Sequence, residues 1–124
     1  MKRIAVIEDN PDNRLLVRAI LEERYELTEF DSGMKALEAL RSMTPDLVLL
    51  DISLPEMDGG EVLEKIRKID GLSDLPVIAL TAHAMVGDRE RFLAAGFDHY
   101  ISKPILDPEK LVAAITALLG EDRS

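Results

Sequence analysis

The 124-residue chain is predicted to fold as one α/β domain on a mostly parallel sheet, and three features carry that prediction. Five short runs rich in leucine and β-branched residues alternate with five longer segments of helical period. The third and fourth runs, Leu47-Val48-Leu49-Leu50 and Val77-Ile78-Ala79-Leu80, show no polar alternation, as strands buried on both faces require. Four of the runs end in acidic, hydroxyl or basic residues. Five β/α repeats of this kind imply helices on both faces of the sheet.

The elements follow in order. The first strand covers Arg3–Ile7 and ends in Glu8-Asp9. Asn10-Pro11 then offers an N-cap and a proline suited to the first helical position, for a helix over Asp12–Glu23. A second strand, Glu26–Phe30, precedes Ser32-Gly33, which opens a helix over Met34–Met43. The third strand, Asp46–Leu50, runs into Asp51, and a helix over Gly60–Lys68 follows. The fourth strand, Val77–Leu80, ends at Thr81, and the next helix covers Met85–Ala95 with Gly96 as its C′ residue. The fifth strand is His99–Ile101, after which come Ser102 and Lys103. Asp107-Pro108 starts the last helix, Pro108–Leu119, in which Leu111, Ala114, Ile115, Leu118 and Leu119 share one stripe. Gly120 ends it, so residues 1–120 form the domain and 121–124 a polar tail.

Composition narrows the function. A formal charge of −9 argues against direct nucleic-acid binding and against an anionic membrane surface as partner. With no cysteine, neither disulfides nor thiol chemistry operate. Met1-Lys2-Arg3 leads straight into a strand without the apolar core of a signal peptide, and no run reaches membrane-spanning length. A cytoplasmic location is expected. Gly59-Gly60 and Gly87 lack the spacing of a phosphate-binding loop or a dinucleotide fingerprint. Gly59 is expected to ease the loop after Asp51. His83 and His99 have no metal-ligand partner at useful spacing. Met85, Phe92 and Leu93 are expected at core or partner-facing positions of the fourth helix.

If the runs are parallel strands, Glu8, Asp9, Asp51, Thr81 and Lys103 gather at one carboxyl edge, where open α/β sheets bind ligands. Neighbouring carboxylates repel and raise one another's pKa, and a divalent cation relieves that repulsion. Mg²⁺ prefers such hard oxygen donors and usually takes one or two carboxylates plus phosphate oxygens. An ionised Asp51 could then attack phosphorus and form an acyl phosphate, with Thr81 and Lys103 contacting phosphoryl oxygens.

The acidic pair Glu8-Asp9, the segment Leu49 to Gly59 around Asp51, Thr81-Ala82 and Lys103-Pro104 occur in this order, each at a strand end. Together they resemble the receiver domain of two-component response regulators, over the whole chain. The resemblance implies a flavodoxin-like doubly wound (βα)5 fold with strand order 2-1-3-4-5, the order of that family's chemotaxis member. It implies that Asp51 is the phosphoacceptor, supplied by phosphohistidine on a sensor histidine kinase or a histidine phosphotransfer protein. It also implies Mg²⁺, with Mn²⁺ as substitute, held by Asp9, Asp51 and the Ser53 backbone carbonyl, with Glu8 acting through water. Thr81 and Lys103 would bind phosphoryl oxygens, and the Lys103-Pro104 peptide would be cis. His83 would lie near the site entrance. Thr81 and Tyr100 would form the switch, read by a downstream protein target at the fourth helix, fifth strand and fifth helix, or through a phosphorylation-linked dimer. The chain would catalyse only its own phosphorylation and dephosphorylation, as a stand-alone receiver.

Two other readings compete. A Mg²⁺-dependent phosphatase of the haloacid-dehalogenase type also uses a strand-end aspartate, but it needs a second aspartate two residues later, where this chain has Ser53. A phosphorylation-independent interaction module would not need the complete set of pocket residues.

Overall fold

A computed structural model describes residues 1–54, 57–82, 88–103, 105 and 107–120. Strands β1 (Arg3–Ile7), β2 (Glu26–Phe30), β3 (Leu47–Asp51), β4 (Val77–Thr81) and β5 (His99–Ser102) alternate with helices α1 (Pro11–Leu21), α2 (Gly33–Leu40), α3 (Gly59–Arg67), α4 (Asp88–Ala95) and α5 (Pro108–Leu119). All strand pairs are parallel, in the order β2-β1-β3-β4-β5. This is the (βα)5 flavodoxin-like arrangement expected from the sequence.

Side-chain alternation divides the core into two layers. Ala5, Ile7, Val48, Leu50, Val77 and Ala79 point to one face of the sheet, where Ala36, Leu40, Val62, Leu63, Ile66 and Phe92 from α2, α3 and α4 cover them. Ile4, Val6, Leu47, Leu49, Ile78 and Leu80 point to the other, under Val17 and Leu21 of α1 and Leu111, Ala114 and Ile115 of α5. The three inner strands are therefore apolar on both sides, which is why their runs lack alternation. The edge strand β2 is half-buried after an exposed Glu26 and carries charged residues, a common protection against pairing with another chain.

Several boundaries move. Helix α1 starts at Pro11, with the Asn10 side chain accepting from the Asp12 and Asn13 N–H groups, and it ends at Leu21. Helix α2 is Gly33–Leu40 rather than Met34–Met43, because Ser32 caps it and the chain tightens into turns at Arg41, Ser42 and Met43 ahead of Pro45. Helix α3 begins one residue early because Asp58, not recognised as a cap, accepts from the Glu61 N–H at 2.9 Å. Asp46 lies outside β3, where its carboxylate accepts from the Arg3 N–H. Residues 85–87, the expected start of the fourth helix, lie outside the described residues, as do His83 and the tail 121–124. Gly96 and Gly120 take positive φ of 109° and 78° at the ends of α4 and α5, a backbone region that favours glycine. Among the described residues, no helix is long and apolar enough to cross a membrane.

Candidate functional site at the carboxyl edge of the sheet

Strand register brings the predicted residues together. Ile7 pairs with Leu50, so Glu8 emerges beside Asp51. Asp51 pairs with Leu80, so Thr81 lies one step further on. Thr81 pairs with Ser102, and the Lys103 N–H donates to the Thr81 carbonyl at 2.7 Å. Glu8, Asp51 and Thr81 are the buried polar residues among those described, at 0 %, 2 % and 0 % exposure, whereas Asp9 is exposed. Oxygens of Glu8, Asp9 and Asp51 all lie within 4.8 Å of one another.

Lys103 reaches into this cluster. Its ammonium is 3.0 Å from Asp51 Oδ2 and 3.3 Å from Glu8 Oε1. The Ser53 N–H donates to Asp51 Oδ1 at 2.8 Å. The loop after Asp51 is closed by the Gly59 N–H, which donates to the Ile52 carbonyl at 3.2 Å. A Cβ at Gly59 would stand 2.6 Å from the Ile52 Cα, so only glycine allows this approach. The expected cis peptide involves Pro104, which is outside the described residues.

The electrostatics follow from burial and partners. Burial, then a hydrogen bond shared with Asp51, pushes Glu8 up to about 7, against the pull of the Asn10 N–H and Lys103. Burial also works against ionised Asp51, but hydrogen bonds with Glu8, Ser53 and Lys103 overcome it and hold that carboxyl below its usual range. Burial likewise opposes the Lys103 charge, and Asp51 and Glu8 outweigh it, so its pKa rises. Three carboxylates thus face one ammonium, and an excess of negative charge remains. A donor set of clustered hard oxygens carrying uncompensated charge fits Mg²⁺.

The sequence reading overlooked Asn13 and Arg14 and took Asn10 only as a helix cap. Asn13 Nδ2 donates to Glu8 Oε1 at 3.1 Å, and the Asn10 N–H donates to Oε2 at 3.2 Å. Arg14 donates to the Glu8 and Asp9 carbonyls at 2.8 and 3.1 Å. The only available signal was their place in the first turns of the helix that follows the acidic pair. Tyr100 is half-buried, with its ring centroid 5.5 Å from that of Phe92 on α4.

Comparisons with known proteins agree with this geometry. The response regulator receiver domain pattern matches residues 4–116. The polar-differentiation response regulator DivK of Brucella anthropi is 42% identical over 121 residues, covering 97% of this chain and 98% of its own length. The receiver domain of the sensor histidine kinase PA1611 from Pseudomonas aeruginosa PAO1, crystallised with a magnesium ion in its active-site cleft, is 33% identical. It superimposes with a TM-score of 0.86, covering 97% of this chain and 98% of that one. Chemotaxis protein CheY4 of Vibrio cholerae, at 23% identity, shares the fold, with a TM-score of 0.87 over 96% of this chain and 99% of its own.

Proposed function

This chain belongs to the response regulator receiver domain family, a family of phosphoacceptor switches, and we propose that Asp51 is its phosphoacceptor within a domain spanning residues 1–120. The observation that carries the assignment is the buried Asp51 carboxylate, held by Lys103 at 3.0 Å and the Ser53 N–H at 2.8 Å inside the acidic cluster. An Asp51 oxygen attacks the phosphorus of a phosphohistidine on a histidine kinase or phosphotransfer protein. The P–N bond breaks, its electron pair returns to the imidazole, and an acyl phosphate forms on Asp51. Water later cleaves that acyl phosphate and releases inorganic phosphate.

Asp9, Asp51 and the Ser53 carbonyl would hold Mg²⁺ or Mn²⁺, and bound cation would neutralise charge on the cluster and on the incoming phosphoryl oxygens. Both Glu8 oxygens already accept from donors, which supports an indirect role for Glu8 through water. Lys103 keeps its proton and pairs with the new phosphoryl charge, while the buried Thr81 hydroxyl donates to another phosphoryl oxygen. Tyr100 is the switch that follows Thr81. A downstream protein target, or a phosphorylation-linked second copy, reads the switch at the face formed by α4, β5 and α5, where a cavity of about 660 Å³ between β5 and α5 is lined by Tyr100, Ile105, Lys110, Ala113 and Ala117. The chain modifies itself rather than turning over a substrate. Residue 53 is a serine with an N–H bonded to Asp51, not the second aspartate of a haloacid-dehalogenase phosphatase.

Intact mass after incubation with acetyl phosphate tests the reading. A Mg²⁺-dependent gain of one phosphoryl group, absent in Asp51→Asn, is expected. An equal gain in Asp51→Asn would refute it, and consumption of acetyl phosphate without an adduct would favour a phosphatase.

A further inference from the structure

We propose that Arg14 is a positioning residue for the cation site: from α1 it fixes the backbone that carries Glu8 and Asp9, and Glu29 on β2 holds it in place. The inference rests on the reading of Glu8, Asp9 and Asp51 as the cation-binding cluster.

Strand β1 ends at Ile7, and the last sheet-like bond beyond it runs from the Glu8 N–H to the Phe30 carbonyl at 3.0 Å. Among the described residues, no strand N–H donates to the Glu8 or Asp9 carbonyl. Both instead accept from the same nitrogen of Arg14, at 2.8 and 3.1 Å. Buried carboxylate Glu8 has its own donors in Asn13, the Asn10 N–H and Lys103. Asp9 differs: among the described residues no donor holds its carboxylate, so its backbone alone decides where that ligand starts.

The guanidinium is itself anchored. Its Nε lies 3.7 Å from Glu29 Oε1, and Glu29 receives two bonds from Arg18, at 2.8 and 2.9 Å. Glu29 pairs with Val6 in the β1–β2 ladder, so the anchor moves with the strand that delivers Glu8. Arg14 and Glu29 are about one-fifth exposed, against 48 % for Arg18, which makes Arg14 the inner member of the trio. An exposed ion pair alone would contribute little. The two carbonyl bonds are what distinguish Arg14 from a solvated surface cation.

Positioning and charge predict opposite signs. As a charge, Arg14 repels a cation, so its removal would tighten Mg²⁺ binding. As a positioning residue, its removal weakens binding, by about tenfold, the lower end of what loss of a ligand-orienting partner usually does. The test is Mg²⁺ titration calorimetry on the parent, Arg14→Met, Arg14→Lys, Arg18→Met and Glu29→Gln, with thermal unfolding of each in EDTA. Expected are weakened binding in Arg14→Met, substantial recovery in Arg14→Lys, a smaller loss in Glu29→Gln, and an Arg18→Met affinity within about twofold of the parent, as for an outer, exposed charge. If Arg14→Met does not fold, Arg14→Gln, equally neutral and too short to reach both carbonyls, decides: the proposal requires it to bind more weakly than the parent, and parent-like or tighter binding overturns it. Parent-like or tighter binding in folded Arg14→Met overturns the inference and leaves the site assignment standing. So does a loss in affinity that merely follows the loss of stability in EDTA across the variants. A parent that does not bind Mg²⁺ overturns the cation reading and this inference with it.

Discussion

At the amino ends of β4 and β5, Arg67 donates to the carbonyls of Leu72, Leu75 and Gly96 and pairs with Asp98, whose carboxylate also accepts from the Val77 N–H. At the carboxyl ends of the same sheet, Lys103 reaches two carboxylates while a third stands nearby. Both ends are bridged by one long basic side chain. The Arg67 bridge balances one cation with one anion and neutral carbonyls, and nothing is left over. The Lys103 bridge leaves negative charge in a buried place, a cost that only a cation or a change of protonation relieves. The difference teaches how to tell a brace from a reactive site: by the charge a cluster leaves uncompensated, not by how many polar groups it holds.

Asp51→Asn gives the largest expected effect, complete loss of phosphoryl uptake from acetyl phosphate with the fold retained. Retained uptake, read by intact mass, would break the comparison, since the excess charge would then have no chemical use.

The next effect is a pH dependence confined to the carboxyl end. Because Glu8 is raised from 4.5 to about 7 on folding, its stabilising contribution is full below pH 4.5 and is lost as pH rises through about 7. Asp51, being lowered, loses its contribution only as pH falls through values under 3.8, and Lys103, being raised, only above 10.5. In EDTA, urea unfolding should therefore show stability falling by about 2–3 kcal/mol between pH 4.5 and 7.5. Glu8→Gln should remove most of that slope, and saturating Mg²⁺ should flatten it. A slope unchanged in Glu8→Gln would mean that the buried cluster is not its source.

Arg67→Met should cost about 2 kcal/mol in urea unfolding, because carbonyls and part of Asp98 lose their donor. Its Mg²⁺ affinity should match the parent's, and a shift there would show that the two ends are coupled. The smallest effect is expected from Arg3→Gln, which removes an ion pair with Glu26 whose partners are both more than half exposed. That change should stay within about 0.5 kcal/mol, and a larger one would mean that surface pairs carry more of this fold than exposed pairs usually do.

Much of this architecture was legible beforehand because strand burial leaves a direct mark. Leu47–Leu50 and Val77–Leu80 lacked polar alternation, which fits strands covered on both faces, and Pro108–Leu119 lay between its cap and its glycine as read. Asp58 escaped notice as a cap because the two glycines after it hid the start of α3. Asn13 and Arg14 were missed for a different reason. Their partners are one carboxylate and two carbonyls on the preceding loop, and no spacing rule separates such a contact from an ordinary solvated helix face.

By itself the sequence determined which side chains stand at the strand ends, because apolar runs stop at Glu8, Asp51 and Thr81 and just before Ser102-Lys103. Tertiary structure alone decided how they meet. Parallel register set Glu8 beside Asp51, and the fold carried the Lys103 ammonium onto both. Burial then raised the Glu8 pKa while hydrogen bonds with Glu8, Ser53 and Lys103 lowered that of Asp51, although both are ordinary carboxylates in the chain. Local sequence dictates chemical type, whereas desolvation and charge partners belong to the packed three-dimensional arrangement.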